Sequence, residues 1–491
     1  MRPIESLLLV ANLLAFLGLV IPLPSTMHWL RYSVVVALVL AGAQVAVEGP
    51  RWQMVPAYAL TGLFLLAWWL QNRLAPGLVV GLGIIGLAVS TALPILIPAF
   101  RFPKPSGPYA IGTVTYHWVD EGRAEIFSAA PQARRELMAQ IWYPAKDDPK
   151  AQRAAYLPDA EALVTEFVRV QQKTAYKLLF GNLKYITTNA IPSAPVADNE
   201  ASYPVLIFLE GTTGFRQMNT YQVEELVSHG YIVVAIDQPY SAAAVVFPDG
   251  RKVAMPSIDQ IKPLIRQSYI PAGKAPILNG QTLKDGIIPY LAQDVSFTLD
   301  QLAALNQTDP KGILTGRMDL QSAGVFGISQ GGIVAGEACM VEPRLRACLM
   351  MDAPMPISVV QAGLKKPSMW ITRDADVMRL ERQRAGGWPE DEIHAHLTSM
   401  RAVYESLEGE GYFVQVDGIF HSNFTDIPAW SPLVRWLGAA GQMDVQRAHE
   451  IINAYSVAFF DRELKGLQEP LLEGPAKEYP EVRIERRIRH E

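Results

Sequence analysis

Ala323-Gly324-Val325-Phe326-Gly327-Ile328-Ser329-Gln330-Gly331-Gly332 is the stretch on which the reading of this 491-residue chain turns. A short apolar run passes directly into G-x-S-x-G, and residues 332–340 continue with helical spacing. Strand, sharp turn and helix in that order raise a serine hydroxyl out of a strained turn, and the glycines let the helix pass close to the strand. Outward from it, residues 136–143, 203–209, 231–236, 347–351, 368–372 and 412–416 are apolar runs of strand length, while 216–229 and 288–305 have helical spacing. Continuous apolar strands suit a sheet buried on both faces, and their alternation with helices predicts a doubly wound, mostly parallel α/β sheet. Residues 379–408 are polar with helical spacing and predict an insertion. Residues 156–185, with Leu163, Phe167 and Leu178 among charges, predict amphipathic helices that pack on the core, cap the site or touch lipid.

A serine hydroxyl is a weak nucleophile until a base takes its proton, so the turn calls for a later histidine oriented by an acid. Downstream lie His394, His396, His421, His449 and His490. His394 and His396 fall in the charged insertion, where a solvated helix face is expected, and H-x-H alone makes no metal site. His449 falls in a terminal helix and His490 in the tail. His421 follows the last strand in Asp417-Gly418-Ile419-Phe420-His421, at the carboxyl edge where such sheets gather their sites. The acid has two places: Asp352, ending the strand after the serine helix, and Asp374 or Asp376, after the next. Strand-end position serves either.

The chain is 50% hydrophobic and 19% charged, yet between residues 6 and 100 only Arg31, Glu48, Arg51 and Arg73 carry charge. Apolar segments near 6–23, 29–47, 54–72 and 77–99 approach the ~20 residues that cross a bilayer as a helix. They predict a bundle of about four transmembrane helices in residues 1–100, ahead of a catalytic domain at 101–491. A cleaved signal peptide would account only for the first segment. Four crossings put the domain on the side of the N-terminus, and Arg2, Arg51, Arg101 and Lys104 there, against Arg31 and Arg73 opposite, predict a cytoplasmic domain on a multi-pass protein of the cell membrane. Gly81, Gly83 and Gly86 match G-x-G-x-x-G, but inside the fourth apolar segment they read, with Gly77, as helix-packing residues rather than a dinucleotide site. No charge lies mid-span to suggest a transport path.

A net charge of −5 argues against nucleic-acid binding, and the Arg-rich 483–489 reads as a solvated strand or tail. Two cysteines, Cys339 and Cys348, exclude a disulfide framework and a Cys-based zinc site. Nothing in the sequence asks for a metal or cofactor.

Three blocks resemble the plasma-type platelet-activating factor acetylhydrolases, serine-dependent phospholipases of the α/β-hydrolase superfamily. They are Tyr203-Pro204-Val205-Leu206-Ile207-Phe208 through Gly214-Phe215-Arg216 and Ser228-His229-Gly230-Tyr231; Gly327-Ile328-Ser329-Gln330-Gly331-Gly332 with Met351-Asp352-Ala353-Pro354-Met355; and His421-Ser422-Asn423-Phe424-Thr425-Asp426. The resemblance covers about residues 105–470 and leaves the N-terminal helices outside. It implies the triad Ser329, Asp352 and His421, favouring Asp352 over Asp374, with an oxyanion hole from the backbone N–H groups of Thr212 and Gln330. It also implies hydrolysis of lipid esters through an acyl-enzyme, on phospholipids with short sn-2 chains. The chain departs from the family pattern with Glu210 where a His precedes the oxyanion-loop glycine, Ile328 where a His precedes the serine, and Gln330 where a Phe follows it. These changes bear on specificity more than on the chemistry. The alternatives are a general carboxylesterase or polyester hydrolase, acyl transfer to an alcohol by the same residues and, from another class, a non-catalytic membrane sensor that retains the fold as a ligand pocket.

Overall fold

Ten strands pair into one sheet: β1 (Ala110–Ala124), β2 (Arg134–Ala145), β3 (Ile191–Pro192), β4 (Tyr203–Leu209), β5 (Ile232–Asp237), β6 (Met318–Ile328), β7 (Leu345–Met351), β8 (Ser368–Thr372), β9 (Gly411–Val416) and β10 (Val482–Arg487). Their order is β10-β9-β8-β7-β6-β4-β5-β2-β1-β3. Strands β5, β4, β6, β7, β8 and β9 run parallel. Antiparallel pairs β1–β2, β2–β5 and β9–β10 extend the sheet on either side. This is a mostly parallel α/β sheet in a computed structural model that describes every residue except 23, 71–74, 173–175 and 489–491. Arg73, Arg489, His490 and the end of the 54–72 segment lie outside the described residues.

The apolar runs alternate between two cores. Val205, Ile207 and Leu209 of β4 join the layer containing Leu291 and Val295 of the helix Ile288–Gln307, whereas Leu206 and Phe208 join the layer containing Val223 and Phe459. Both faces of β4 are therefore apolar, as its period of two demands. The chain leaves β4 for β5 on one side and returns to β6 on the other, so the carboxyl ends of β4 and β6 flank the crevice where doubly wound sheets place their sites.

Some segments depart from the sequence reading. The helix expected at 216–229 begins only at Thr220, because the Arg216 backbone N–H is drawn to Asp237 Oδ1 (2.6 Å) and the Asp426 carboxylate accepts the N–H groups of Thr220 (2.9 Å) and Tyr221 (3.1 Å). The insertion is two helices, Ala375–Ala385 and Glu390–Ser406, and its second helix is not a wholly solvated face: Ile393, His396, Met400 and Val403 are buried. In 156–185, Leu163, Phe167 and Phe180 are buried and Leu178 is exposed, the pattern of helices packed on the core. The two cysteines, on the helix Gln330–Val341 and on β7, form one disulfide.

The chain divides into two compact units, Met1–Phe100 with Trp430–Leu433, and Arg101–Ala429 with Val434–Glu491. In the first, Pro3–Val20, Thr26–Glu48, Trp52–Leu70 and Pro76–Leu96 are long and apolar enough to cross a membrane. A Cβ at Gly83 would strike the Phe16 ring and one at Gly86 would meet Leu60 at 2.6 Å, so these two glycines serve close helix packing; Gly77 and Gly81 face open space and do not. Glu5 pairs with Arg2 (2.8 Å) and Arg51 (3.0 Å), and Arg2 reaches Glu48 (3.7 Å). Two of the four cations behind the expected orientation are thus engaged with carboxylates.

Candidate active site

β6 ends at Ile328, and Ser329 takes φ +57° and ψ −122° before the helix Gln330–Val341 begins. A β-carbon on Gly327 would collide with the carbonyl of Gly331, and one on Gly331 with the carbonyl of Leu209, so both glycines of the motif are sterically required. The turn is tied down by the Ser329 N–H donating to the Met351 carbonyl (3.0 Å). Thr213, Tyr240 and Asp352, each just after a strand end, also have positive φ. Strained backbone of this kind persists where surrounding structure over-determines it, and it gathers at functional sites.

The carboxylate of Asp352 is fully buried, and its Oδ2 lies 2.6 Å from His421 Nδ1. Asp374 instead accepts the Val377 N–H (2.9 Å) as a helix cap, and Asp376 pairs with Arg379 at the surface (2.9 Å). Of the three carboxylates weighed from sequence, only Asp352 meets the histidine. Oδ2 also accepts from Arg373 Nε (2.9 Å), and Oδ1 from the Thr372 hydroxyl (3.2 Å). Burial would raise the Asp352 carboxyl, but the Arg373 guanidinium, and then His421, outweigh it and hold the group ionised well below the usual carboxylate range.

The loop after β4 passes over the serine: a Cβ at Gly211 would stand 3.2 Å from Ser329 Cβ. Thr212 and Gln330 are joined, the threonine hydroxyl donating to Gln330 Oε1 (2.7 Å) while Gln330 Nε2 donates to the Ser241 hydroxyl. Glu210, where the family pattern has histidine, is buried; burial and then neighbouring Asp237 push its carboxyl up to about 8, and its Oε1 accepts the Gln238 N–H (2.9 Å).

A cavity of about 380 Å³ opens at Ser329, lined also by Thr212, Gln330, Ile333, Pro354, Tyr269 and Trp388. Two residues beside Asp352 were assigned elsewhere or passed over in the sequence reading. His396, expected on a solvated face, is buried against this cavity, 3.6 Å from Asp352 Oδ1, and its ring packs on Trp388 at 4.6 Å between centroids. Its place on the stripe Ile393, His396, Met400, Val403 was the available signal, masked by the surrounding charges. Arg373, directly after β8, was also missed, though strand-end position marks it as plainly as it marks Asp352. His394 is exposed, and His449 is buried elsewhere, stacked on Tyr221 at 3.7 Å. Among the described residues, no cluster of three or more His, Cys, Asp or Glu could hold a metal ion.

A strained serine turn at the switch point of a doubly wound sheet, with a buried carboxylate holding an imidazole that packs on Trp388 of the serine's cavity, is the arrangement of an ester hydrolase of the α/β-hydrolase fold. The model of the platelet-activating factor acetylhydrolase, isoform II, family matches residues 95–474, and this chain belongs to that family. It is 21% identical over 387 residues to a platelet-activating factor acetylhydrolase of Gallus gallus, covering 74% of this chain and 84% of that one. It is 23% identical over 429 residues to a probable 1-alkyl-2-acetylglycerophosphocholine esterase of Arthroderma benhamiae, covering 81% and 97%. A solved ferulic acid esterase from Streptomyces cinnamoneus superimposes with a TM-score of 0.59 at 26% identity, over 79% of this chain and 99% of the other. The chain is therefore an ester hydrolase, and the non-catalytic reading is set aside.

Proposed function

We propose that Ser329, His421 and Asp352 are the catalytic triad, and that this chain hydrolyses phospholipid-like esters with short sn-2 acyl chains through an acyl-enzyme. The observation that carries the reading is the strained Ser329 turn together with the 2.6 Å contact of Asp352 and His421. In this mechanism His421 Nε2 takes the serine proton as Ser329 Oγ attacks the ester carbonyl, and the imidazolium then protonates the departing alcohol. The Asp352 carboxylate stabilises the imidazolium and fixes its tautomer through Nδ1–H. The N–H groups of Thr212 and Gln330 hold the oxyanion, a contribution of about 10²–10³-fold in rate for one such donor. Water, activated by the same imidazole, releases the acid and restores the serine.

A second reading, a general carboxylesterase, is favoured by the likeness to the ferulic acid esterase and by Glu210 and Gln330 at positions where the family pattern differs. Turnover of sn-2 acetyl and long-chain phospholipids and of simple soluble esters, by the full-length protein and its Ser329→Ala variant, separates the two. Preference for the acetyl lipid that vanishes in the variant supports the phospholipase; Ser329-dependent cleavage of soluble esters alone supports the carboxylesterase. Activity that survives Ser329→Ala overturns the triad.

The four apolar helices anchor the enzyme in a bilayer in this reading, with the catalytic unit on the side of the N-terminus. For sidedness, the Cys339–Cys348 disulfide favours an oxidising compartment over the cytoplasm favoured by the cation count, because disulfides rarely persist in reducing cytosol.

A further inference from the structure

A backbone donor serves an oxyanion only if it is free and fixed. In the loop after β4, Thr213 N–H donates to the Ser241 carbonyl (3.0 Å) and Gly214 N–H to the Gly211 carbonyl (2.8 Å), whereas Thr212 N–H meets no acceptor among the described residues. The Gln330 N–H, at the first position of its helix, has no intrahelical partner either. Fixing is the harder requirement, because such a donor must stand about 2.7–3.1 Å from the oxygen and a displacement of about 1 Å can cost about 10²-fold in rate. Gln330 is held by its helix; Thr212 lies in a loop.

The turn after β5 supplies the fixing. Gln238 N–H donates to Glu210 Oε1 (2.9 Å) and Ala243 N–H to the Gly214 carbonyl (3.0 Å), so both ends of 210–214 are tied to 238–243. Thr212 itself is tied by side chains. Its hydroxyl donates to Gln330 Oε1 (2.7 Å), and Gln330 Nε2 donates to the Ser241 hydroxyl. Gln330 and Ser241 are each 2% exposed or less, so water does not compete for these bonds. Gln330 thus bridges the serine turn, the loop after β4 and the turn after β5. A phenylalanine, which the family pattern places after the serine, could make neither bond. With both ends of its amide engaged, the Gln330 side chain acts through Thr212 rather than on the substrate.

We infer that Gln330 and Ser241 are positioning residues, which through the Thr212 hydroxyl hold the Thr212 N–H on the oxyanion of the reacting ester. The inference rests on Ser329 as nucleophile and Thr212 as an oxyanion donor.

The variants Gln330→Met, Ser241→Ala and Thr212→Val each cut this chain of bonds at a different link, and Thr212→Ser keeps the hydroxyl. Hydrolysis of 4-nitrophenyl acetate by the full-length protein is measured per serine titrated with a fluorophosphonate, so that misfolded molecules are not counted. Each of the three cuts should lower kcat about 10–100-fold and change KM less than about threefold, the mark of an interaction made in the transition state. Thr212→Ser should recover most of the loss of Thr212→Val. The double variant Thr212→Val with Gln330→Met should be no slower than the slower single one, since both cut one chain. A wild-type kcat per serine in Gln330→Met and Thr212→Val overturns the inference. So does a Thr212→Ser as slow as Thr212→Val, which would assign the loss to packing, and so do losses that multiply in the double variant. Where Gln330→Met does not fold, the two Thr212 variants, at a half-buried position, still decide. If hydrolysis survives Ser329→Ala, the triad has failed and not the positioning of Thr212.

Discussion

β7 and β8 lie side by side, and an acidic residue stands at or just past the end of each, yet the two ends do opposite things. After β7, Asp352 is fully buried at positive φ and meets His421, Arg373 and Thr372. After β8, Asp374 faces solvent in part, caps a helix and pairs with Arg483 (3.2 Å). β7 is also joined by disulfide to the helix that follows Ser329. A carboxylate is held as a charge inside a protein only where cations and donors converge on it. That convergence, not proximity to a strand end, separates an acid suited to orient an imidazole from one suited to cap a helix.

The largest break in the comparison should come from removing each carboxylate in turn. Asp352→Asn should lower kcat by about 10⁴-fold, the scale seen when a triad acid loses its charge, whereas Asp374→Ala should leave kcat unchanged and cost about 1 kcal/mol as a lost cap. Equal losses of rate would mean that the acid has been misassigned. Next, Arg373→Leu removes the main cation opposing the burial of Asp352. It should cost about 3–5 kcal/mol in denaturant unfolding and move the acid limb of the kcat/KM profile to higher pH, since the carboxyl rises once its partner is gone. An unmoved limb would show Arg373 to be structural only.

Burial also sets a pH dependence of stability. His449 is pulled down to about 4 by burial, against the opposing Thr425 carbonyl. The unfolded chain takes up a proton below about pH 6.5 that the folded chain refuses, so stability is present above that pH and is lost as pH falls towards 4, by about 3 kcal/mol at most. Unfolding curves at pH 7 and pH 5 should lie closer together for His449→Phe than for the wild type. The disulfide closes a short loop, and Cys348→Ser should cost about 2–3 kcal/mol. Alkylation of intact cells should leave both cysteines unmodified, on later denaturation, unless a reductant is added first. Labelling without reductant would return the catalytic unit to the cytoplasm.

Much of the site was legible because its signals are local. G-x-S-x-G after an apolar strand fixes a turn that only glycine permits, and His421 is the downstream histidine that follows a last strand. Arg373 and His396 were not legible in the same way. His396 is one polar residue among the charges of 379–408, and Arg373 has a strand-end position but no motif of its own; each meets Asp352 only because the helix Glu390–Ser406 and the end of β8 close on it. β1 was missed as well; a two-faced antiparallel strand with Thr, His and Gly interleaved does not form a continuous apolar run.

By itself, then, the sequence determined the alternation of strands and helices, the serine turn, the histidine and four apolar helices, because periodicity and turn sterics act between residues close in the chain. The resemblance favoured Asp352 over Asp374, but which carboxylate meets His421, the burial of His396 and Glu392 and the pairing of Cys339 with Cys348 are visible only in tertiary structure. Burial and charge convergence depend on which distant segments meet, and no local pattern encodes them.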